Sequence, residues 1–483
     1  MTESGDLLSV VEYTIDTELV PANVSYLPEF LQKYYLSRYK GYRNFKEVEL
    51  YTEDGRNCLT YKVYIPKTEN YVEVTLEAGI PIRLSMRPSS ADIPKAFFDE
   101  LYEDTLLMVQ VFEEQMANMS LYFAYVQGEK MVPESPKANR WVDIFFSRSM
   151  YGVFFMFIFL SYVFLIVFQD YGPLLLGIVL LLFALFSGRL AARGDWVITE
   201  DRPEVILLQY SLTMGEYEQF LKTNAGKIPE IREKIYRDIV STRKKVTCEL
   251  AEKIFVDYGI ECQPERLSVK TVNVWQLVKK AAEAFKLSMP KIVIANTEVA
   301  NAAAMGPSPR LGAIIITTGI MQQLEEEELI GVIGHELSHL KNHDPIILFG
   351  LVILEFLLRF YIFAPYIAAL GYNGFLLYLI AFLAIVLSIG KVFEARCDLD
   401  AVKYIGNPKA LANGLKKIAY KQLLPIYKRE PFYRRYRRLE WLAFDPHPPA
   451  YYRINRIENI SQPIAKHTFW ASLRDNIKGF LKP

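Results

Sequence analysis

Four long apolar segments constrain this chain more than any other feature of its sequence. The first, Ser149–Phe168, has 20 residues and no charged side chain, and the second, Gly172–Gly188, follows after a short loop. A helix that spans a bilayer needs about 20 mostly apolar residues. A core helix of a soluble protein would show polar residues on one side, and these segments show almost none. The sequence therefore predicts a transmembrane helical hairpin at residues 146–191.

A second apolar pair occurs at Ile346–Phe363 and Gly374–Gly390. Each segment is close to the minimum length for a span, so we predict a second transmembrane hairpin at 346–390, with a buried or partly immersed hairpin as the alternative. Glu355 and Arg359 lie four residues apart on one face of the third segment. We interpret them as an internal ion pair, or as an arginine that reaches the far headgroups, in preference to a transport site.

The charges that flank these segments predict their orientation. The two connecting loops, 169–173 and 364–373, contain no Lys or Arg, whereas basic residues flank the other ends of the hairpins. Cytoplasmic segments next to spans carry the excess of Lys and Arg. The sequence thus predicts a multi-pass protein of the cell membrane with four spans, both termini and the segment between the hairpins being cytoplasmic. The basic residues are Lys137, Arg140, Arg148, Arg189, Arg193, Lys391 and Arg396.

Composition limits the remaining possibilities. Lys and Arg together number 55, and Asp and Glu also number 55, so a globally basic nucleic-acid-binding protein is excluded. The four cysteines form no CxxC pair, which argues against a disulfide scaffold and suits a reducing compartment. One local basic and aromatic segment, 428–441, remains. Anionic lipid headgroups are its simplest partner, while RNA and a solvated helix face stay open.

Two soluble regions surround the first hairpin. Residues 1–145 alternate polar and apolar side chains at 45–52, 59–66 and 71–78, followed by a helical pattern at 94–118. This pattern predicts an N-terminal cytoplasmic α+β domain, a scaffold or partner-docking module of unassigned role. Residues 192–270 are predicted to be a helical connector.

The chemistry is concentrated in the motif that contains His335, Glu336 and His339. This HExxH pattern is predicted to lie on a helix that begins near Gln322. Residues four apart on a helix share one face, so both imidazoles can bind one Zn²⁺ ion. Glu336 lies beside them, where it can take a proton from a water molecule activated by that ion. The alternative is a pair of ordinary surface histidines.

A catalytic zinc ion needs a third protein ligand, and two candidates remain. His343 lies two turns beyond His335, too far along a continuous helix, and would serve only if the helix broke near Asn342. Glu394, which follows the fourth apolar segment, shares a predicted helix face with Asp398. In this alternative Glu394 binds the metal, and Asp398 accepts a hydrogen bond from a ligand histidine.

The combination of HELSH, an apolar hairpin and ExxxD resembles the HtpX-type membrane zinc metallopeptidases and, more distantly, the CaaX prenyl endopeptidases. NAAAMG at 301–306, the approach to the HExxH helix and HPPAYYRI at 447–454 are similar to the same family. The chain departs from the usual EFxAD pattern, since it has Glu394, Ala395, Arg396, Cys397 and Asp398. The Cys397 thiol could approach the metal, but a small packing residue is the preferred interpretation.

The resemblance implies a mostly helical zincin peptidase domain at 271–483, interrupted by the second hairpin. It implies one Zn²⁺ ion per chain, His335, His339 and Glu394 as ligands, and Glu336 as general base. It also implies an endopeptidase with a cytoplasmic active site that acts in membrane-protein quality control. Its partners would be protein or peptide substrates, above all membrane proteins, together with the lipid bilayer and no nucleic acid. A CaaX-type processing peptidase and a non-catalytic membrane adaptor with a structural zinc site remain as alternatives.

Two further segments are candidate parts of the site. His447 lies between Asp445-Pro446 and two prolines that fix its loop, so it could donate to the oxyanion, with Arg453 as a second cation. A structural histidine that caps the next helix is the alternative for His447. The short strand Asn301–Met305 could bind an extended substrate by main-chain hydrogen bonds, or be purely structural. Its predicted substrate-binding residues are Asn301, Ala302, Ala303 and Ala304.

Overall fold

The computed structural model describes residues 10–17, 19, 21–37, 44–66, 68–117, 119–129, 150–191, 194–427, 441, 445–460, 464 and 466–481. Most of these residues are helical, and the strands form three separate sheets. Apart from residue 441, the predicted basic segment at 428–441 lies outside the described residues, as do Lys137, Arg140, Arg148 and Arg193.

A five-stranded antiparallel sheet forms the N-terminal region. Its strand order is β1-β5-β4-β3-β2. Every second side chain of β4, including Val72, Val74 and Leu76, is buried in a core shared with the long helix α3. The three strands and the helix predicted here are confirmed. The elements are β1 (Val11–Ile15), α1 (Pro21–Val24), α2 (Leu27–Phe30), a π-helical turn (Leu31–Leu36), β2 (Asn44–Glu53), β3 (Arg56–Tyr64), β4 (Tyr71–Glu77), β5 (Ile82–Pro88) and α3 (Lys95–Ala117).

The first apolar pair forms two helices, α4 (Met150–Phe168) and α5 (Gly172–Ala191), joined by a 3₁₀ turn at Gln169–Tyr171. The second pair forms α12 (Asp344–Leu358), a π-helical turn (Arg359–Phe363) and α13 (Ala364–Ile405). The intervening loop predicted at 364–373 is largely helical, and the chain reverses at Gly371, whose φ of 68° is readily adopted only by glycine.

Three helical segments in the described part of the chain are long and apolar enough to cross a membrane. They are Phe159–Arg189, Asp344–Tyr366 and Gly371–Ile405, and the first of them contains parts of both α4 and α5. Membrane-spanning candidates are therefore present at both predicted positions, while the count of four spans and the orientation stay predictions. The hairpins contact each other, because the Tyr361 hydroxyl donates to the Asp170 carbonyl at 2.6 Å.

The region between the first hairpin and the C-terminal core is less helical than predicted. It contains β7 (Trp196–Ile198) and β8 (Glu204–Ser211) before its helices begin. Strand β8 is buried on both faces, which removes the alternating pattern by which a strand is recognised. The later elements are α6 (Met214–Asn224), a 3₁₀ turn (Ala225–Lys227), α7 (Ile228–Ile235), a π-helical turn (Tyr236–Val240), α8 (Cys248–Phe255) and 3₁₀ turns at Val256–Tyr258 and Pro264–Arg266.

A three-stranded sheet connects this region to both of its neighbours. Strand β6 (Ser120–Val126) lies before the first hairpin, yet it pairs with β8, which in turn pairs with β9 (Leu267–Asn273). The domain boundaries at 145, 192 and 270 stay predictions. A disulfide between Cys248 and Cys262, absent from our expectations, links the first residue of α8 to the segment that follows this helix. Disulfides persist mainly in oxidising compartments, so a cytoplasmic location also stays a prediction.

The C-terminal core is built around a four-stranded sheet of order β11-β12-β10-β7. Strands β10 and β12 are parallel, and the other pairs are antiparallel. The short strand predicted at Asn301–Met305 is confirmed at Ala302–Met305. The elements are α9 (Val274–Phe285), β10 (Lys291–Ala295), β11 (Ala302–Met305), β12 (Ala313–Thr317), α10 (Thr318–Gln323), α11 (Glu326–Lys341), α14 (Pro408–Tyr427), α15 (Ala450–Glu458) and α16 (Thr468–Leu481).

Candidate metal centre

Helix α11 carries the HExxH motif, and its start lies four residues after the predicted one. A short helix, α10, ends first, and Leu324 is extended. Glu325 then caps α11 through a reciprocal capping box with Glu328, which satisfies amide groups that the first turn leaves without helical partners. His335 and His339 follow on one face, and their ring centroids are 5.0 Å apart.

Helix α13 packs directly beside α11 and brings a carboxylate to the two imidazoles. A side chain at Gly334 would place a Cβ only 2.6 Å from Cγ1 of Ile405, so the absence of one permits this close approach. Glu394 then lies with Oε2 at 3.2 Å from Nε2 of His335 and Oε1 at 3.3 Å from Nε2 of His339. These three residues form a group whose ligand atoms lie within 4.8 Å of one another.

The spacing of this donor set fits a tetrahedral metal ion. Zn²⁺ binds imidazole nitrogen and carboxylate oxygen at about 2.0–2.1 Å, so neighbouring ligand atoms of a tetrahedral site lie about 3.3 Å apart. The nitrogen-to-oxygen distances are close to this value, 3.2 Å from His335 to Oε2 of Glu394 and 3.3 Å from His339 to Oε1, so each imidazole faces a different oxygen of the carboxylate. Two nitrogens and one carboxylate leave one position for water or substrate, as catalytic zinc sites do.

Each imidazole donates a hydrogen bond from Nδ1, the nitrogen that faces away from Glu394, to a carboxylate. Asp398 is buried on α13, and its Oδ1 accepts a hydrogen bond from Nδ1 of His335 at 2.9 Å. Arg453 donates to both oxygens of Asp398, at 2.9 and 2.7 Å, and lies 3.6 Å from Glu394. The proton on Nδ1 leaves Nε2 of His335 free for a metal ion.

The corresponding partner of His339 is a residue that sequence reasoning missed. Oδ2 of Asp344 accepts a hydrogen bond from Nδ1 of His339 at 2.8 Å, and Asp344 is almost completely buried. Arg396 donates to the same carboxylate oxygen. The signal was present, since Asp344 lies five residues after His339. The contact can be inferred only if it is known that α11 ends between His339 and Asp344.

Cys397 lies on the outer side of His339 and not at the candidate metal position. Its buried Sγ is 3.4 Å from Nδ1 of His339, whereas Nε2 faces Glu394. His339, Asp344 and Cys397 do form a second group of possible ligands. The Arg396 guanidinium already supplies a positive charge to Asp344 there, which disfavours a second cation. This arrangement supports Cys397 as a packing residue.

His343 does not join the candidate ligands. The helix does end at Lys341, as the alternative ligand required, but His343 adopts a left-handed conformation with φ of 59°. Its Nδ1 donates to the Pro307 carbonyl at 2.7 Å. His343 therefore ties the start of α12 to the loop that follows β11, and it is absent from both groups of possible ligands among the described residues.

The other predicted residues surround the same centre. Glu336 is buried on α11 next to His335. His447 is exposed, its Nδ1 is 2.8 Å from Asp445, and its Nε2 is 3.6 Å from Glu394. Its ring thus points toward the centre from the solvent side. His467 is exposed and belongs to neither group of possible metal ligands.

Strand β11 lies at the edge of its sheet, next to α11. Ala302, Ala303 and Ala304 pair with β12 on one side and are half-buried. No described strand pairs with the other side. Asn301 precedes the strand, and its backbone is tied to the hydroxyl of Thr317 at 2.9 Å. The outer edge of β11 thus has no partner strand among the described residues, and its binding of an extended peptide stays a prediction.

The protonation of the two imidazoles depends on the carboxylates around them. Burial by itself lowers the pKa of His335, but the bonds to Asp398 and Glu394 outweigh this effect and raise the pKa to about 10. Burial likewise lowers the pKa of His339, but the neighbouring Cys397, Asp344 and Glu394 outweigh burial and hold this pKa well above its ordinary value. A metal ion must displace these protons, so its affinity should fall as the pH is lowered.

Substitution of Asp344 by asparagine should weaken metal binding. The amide can still accept from His339 but carries no charge, and it leaves the buried Arg396 with only the more distant carboxylate of Asp400, at 3.9 Å. Loss of such an orienting carboxylate typically lowers metal affinity about 10–100-fold. Zinc titration against a competing chelator measures this change. Asp238→Asn, at an exposed helix position, is the control. Unchanged affinity in the Asp344 variant would show that the bond to His339 has no such role.

Known proteins resemble the chain over this part of its length. The sequence model of peptidase family M48 matches residues 268–461. The Protease HtpX homolog of Ligilactobacillus salivarius is 28% identical over 225 residues, which cover 39% of this chain and 73% of the relative. The homolog from Thermodesulfovibrio yellowstonii is 33% identical over 174 residues, 32% of this chain and 61% of the relative.

A third relative gives the same result from another organism. The Protease HtpX homolog of Thermococcus sibiricus is 29% identical over 216 residues, with 39% of this chain and 74% of the relative covered. The matched region contains the HExxH helix, Glu394 and the 447–454 segment. The resemblance to the HtpX-type metallopeptidases is thereby confirmed, since residues 268–461 match the model of peptidase family M48 in a chain with candidate membrane-spanning helices.

Proposed function

We propose that the chain is a zinc-dependent endopeptidase that cleaves extended or misfolded segments of membrane proteins from the cytoplasmic side. One observation carries this proposal above all: Nε2 of His335, Nε2 of His339 and the Glu394 carboxylate converge, with ligand atoms within 4.8 Å of one another. The carboxylate comes from the helix that leaves the second apolar hairpin. The donor set suits zinc, which prefers nitrogen and carboxylate ligands in this geometry.

Glu336 is the proposed general base. Zinc bound by these three residues would lower the pKa of a water molecule and polarise the scissile carbonyl. Glu336 then accepts a proton from that water at its carboxylate and later delivers it to the leaving amine. Its position next to His335 on α11, together with its burial, supports this role.

His447 and Arg453 have different proposed roles. The ring of His447 is exposed and faces the centre, and Asp445 holds its other nitrogen, so Nε2 is available to donate to an oxyanion. Arg453 contacts two carboxylates, Asp398 and Glu394, and is mostly buried. We therefore propose Arg453 as a positioning residue that fixes both carboxylates, instead of the second oxyanion cation that we first expected.

The position of the site supports substrates close to the lipid. Glu394 follows the apolar segment that ends at Gly390 by four residues, and Asp344 begins the other helix of this hairpin. The site is thus at the border of the candidate spans. Main-chain pairing with the edge of β11 would accept many sequences, as a protease of misfolded proteins requires.

Proteolysis of defined substrates tests this proposal. The purified full chain in lipid nanodiscs should cleave an unfolded membrane-protein segment, lose this activity in chelator and regain it with added zinc. A matched prenylated peptide with a C-terminal CaaX motif should be cleaved no faster than its unprenylated form. Strict dependence on the prenyl group would favour CaaX processing, and no cleavage of any substrate by metal-loaded protein would favour the adaptor.

A further inference from the structure

Helix α16 buries a polar face and exposes an apolar one, which is the reverse of a helix that packs on the core of a soluble protein. Its buried side chains are the polar residues Thr468, Ser472 and Asn476, spaced four apart along one face. Four of its apolar side chains are exposed, while Phe469 contacts Phe393 and Leu473 is half-buried. The exposed fractions are 66% for Trp470, 53% for Ile477, 43% for Phe480 and 65% for Leu481.

The inward polar face is held by specific hydrogen bonds. The Thr468 hydroxyl donates to Asp400 at 2.8 Å, and the Asn476 amide donates to the Lys391 carbonyl at 2.9 Å. Arg456 donates to the Ser472 hydroxyl at 3.1 Å. These bonds fix the rotation of α16, so the outward direction of its apolar face is a property of the fold.

The outward face has the composition of a helix at a lipid–water interface. At 100° per residue, Phe480, Ile477, Trp470 and Leu481 share one sector of about 100°, as expected from 3.6 residues per turn. Arg474 and Lys478, both exposed, border this sector on one side. Apolar residues flanked by basic ones are typical of helices that rest on an anionic membrane surface.

The contacts with α13 place one end of α16 beside the membrane border. Asn476 bonds to Lys391, the first residue after the apolar segment that ends at Gly390, whereas Thr468 bonds to Asp400, nine residues further along α13. The two helices are therefore antiparallel. With a rise of 1.5 Å per residue, Ile477 lies about 10 Å closer to the apolar segment than Trp470 does.

We propose that the last turns of α16, with Ile477, Phe480 and Leu481, are immersed in the lipid–water interface of the bilayer that holds α13. Lipid is the occupant because this face begins where the exposed apolar surface of α13 ends. Arg474 and Lys478 would then lie at the level of the lipid phosphates. Arg456, which bonds to Ser472 of α16, also donates to the Ala395 carbonyl next to Glu394. The anchored α16 therefore fixes the distance between the turn that carries Glu394 and the membrane surface.

Spin labels on the full chain in nanodiscs that contain anionic lipid test this inference. Ile477→Cys and Trp470→Cys replace exposed side chains, and Lys222→Cys on α6 is the control for an exposed, charged helix position. The native cysteines do not compete, because Cys58 and Cys397 are buried and Cys248 and Cys262 are paired. The measurement is the ratio of collisions with apolar oxygen to collisions with a water-soluble nickel chelate.

The expected ratio is several-fold higher at position 477 than at 222, with position 470 between them because it lies farther from the apolar segment. A ratio at 477 equal to that at 222 would show that water covers this face and would overturn the proposal. Protection of 477 from both reagents would also overturn it, because a protein partner would then be the occupant. The labels need no enzymatic activity, so this result is independent of the proposed protease function.

Discussion

Replacement of Glu336 by glutamine should leave the metal content of the purified protein unchanged and lower peptide-bond cleavage by a factor of about 10²–10⁴. The amide has nearly the same size as the carboxylate but cannot accept a proton at pH 7. Glu336 is buried next to His335 and belongs to neither group of possible metal ligands among the described residues. The change therefore separates proton transfer from metal binding.

Initial rates on the unfolded membrane-protein substrate, measured with zinc content determined on the same samples, check this expectation. Glu327→Gln is a matched control, because Glu327 is exposed in the first turn of the same helix. Full activity in the Glu336 variant would remove Glu336 as the base. Loss of the metal together with the activity would mean that Glu336 supports the ligands and would leave its proton transfer unproven.

The parts of this protein that could be predicted from sequence depend on local patterns. HExxH places two imidazoles on one helix face by spacing alone, and the apolar segments are recognisable by length. Glu394 was a candidate because an i, i+4 carboxylate pair follows the fourth apolar segment. The structure brings it to His335 and His339, as that alternative required.

The residues that sequence reasoning missed depend on where helices end. Asp344 reaches His339 because the chain leaves α11 at Asn342 and adopts a left-handed conformation at His343. Spacing along a continuous helix does not reveal this contact. The salt bridge between Arg396 and Asp344 likewise joins residues 52 positions apart.

The connector and the C-terminal helix show why burial patterns can mislead. Strand β8 packs between two cores, so its apolar residues do not alternate and the segment was assigned to helix. In α16 the polar residues face inward, because Asp400, Arg456 and the Lys391 carbonyl are hydrogen-bonding partners. A sequence pattern shows that a helix has two faces, but the direction of each face depends on its neighbours.

Replacement of Glu394 by alanine should abolish stable zinc binding. The variant retains two imidazoles but lacks the only carboxylate in the group that contains both of them. Loss of a direct ligand should exceed the 10–100-fold weakening that is typical when an orienting partner of a ligand is lost. Activity should disappear with the metal, because the ion supplies the activated water.

The metal-to-protein ratio of purified Glu394→Ala protein tests the central claim most directly. Wild-type protein and a Cys397→Ala variant, changed less than one turn further along α13, should each hold about one zinc ion per chain, while the Glu394 variant should hold almost none. The Cys397 variant retains zinc in this account because its thiol faces Nδ1 of His339 and not the metal position. Undiminished zinc in the folded Glu394→Ala protein would contradict the assignment of Glu394 as the third ligand.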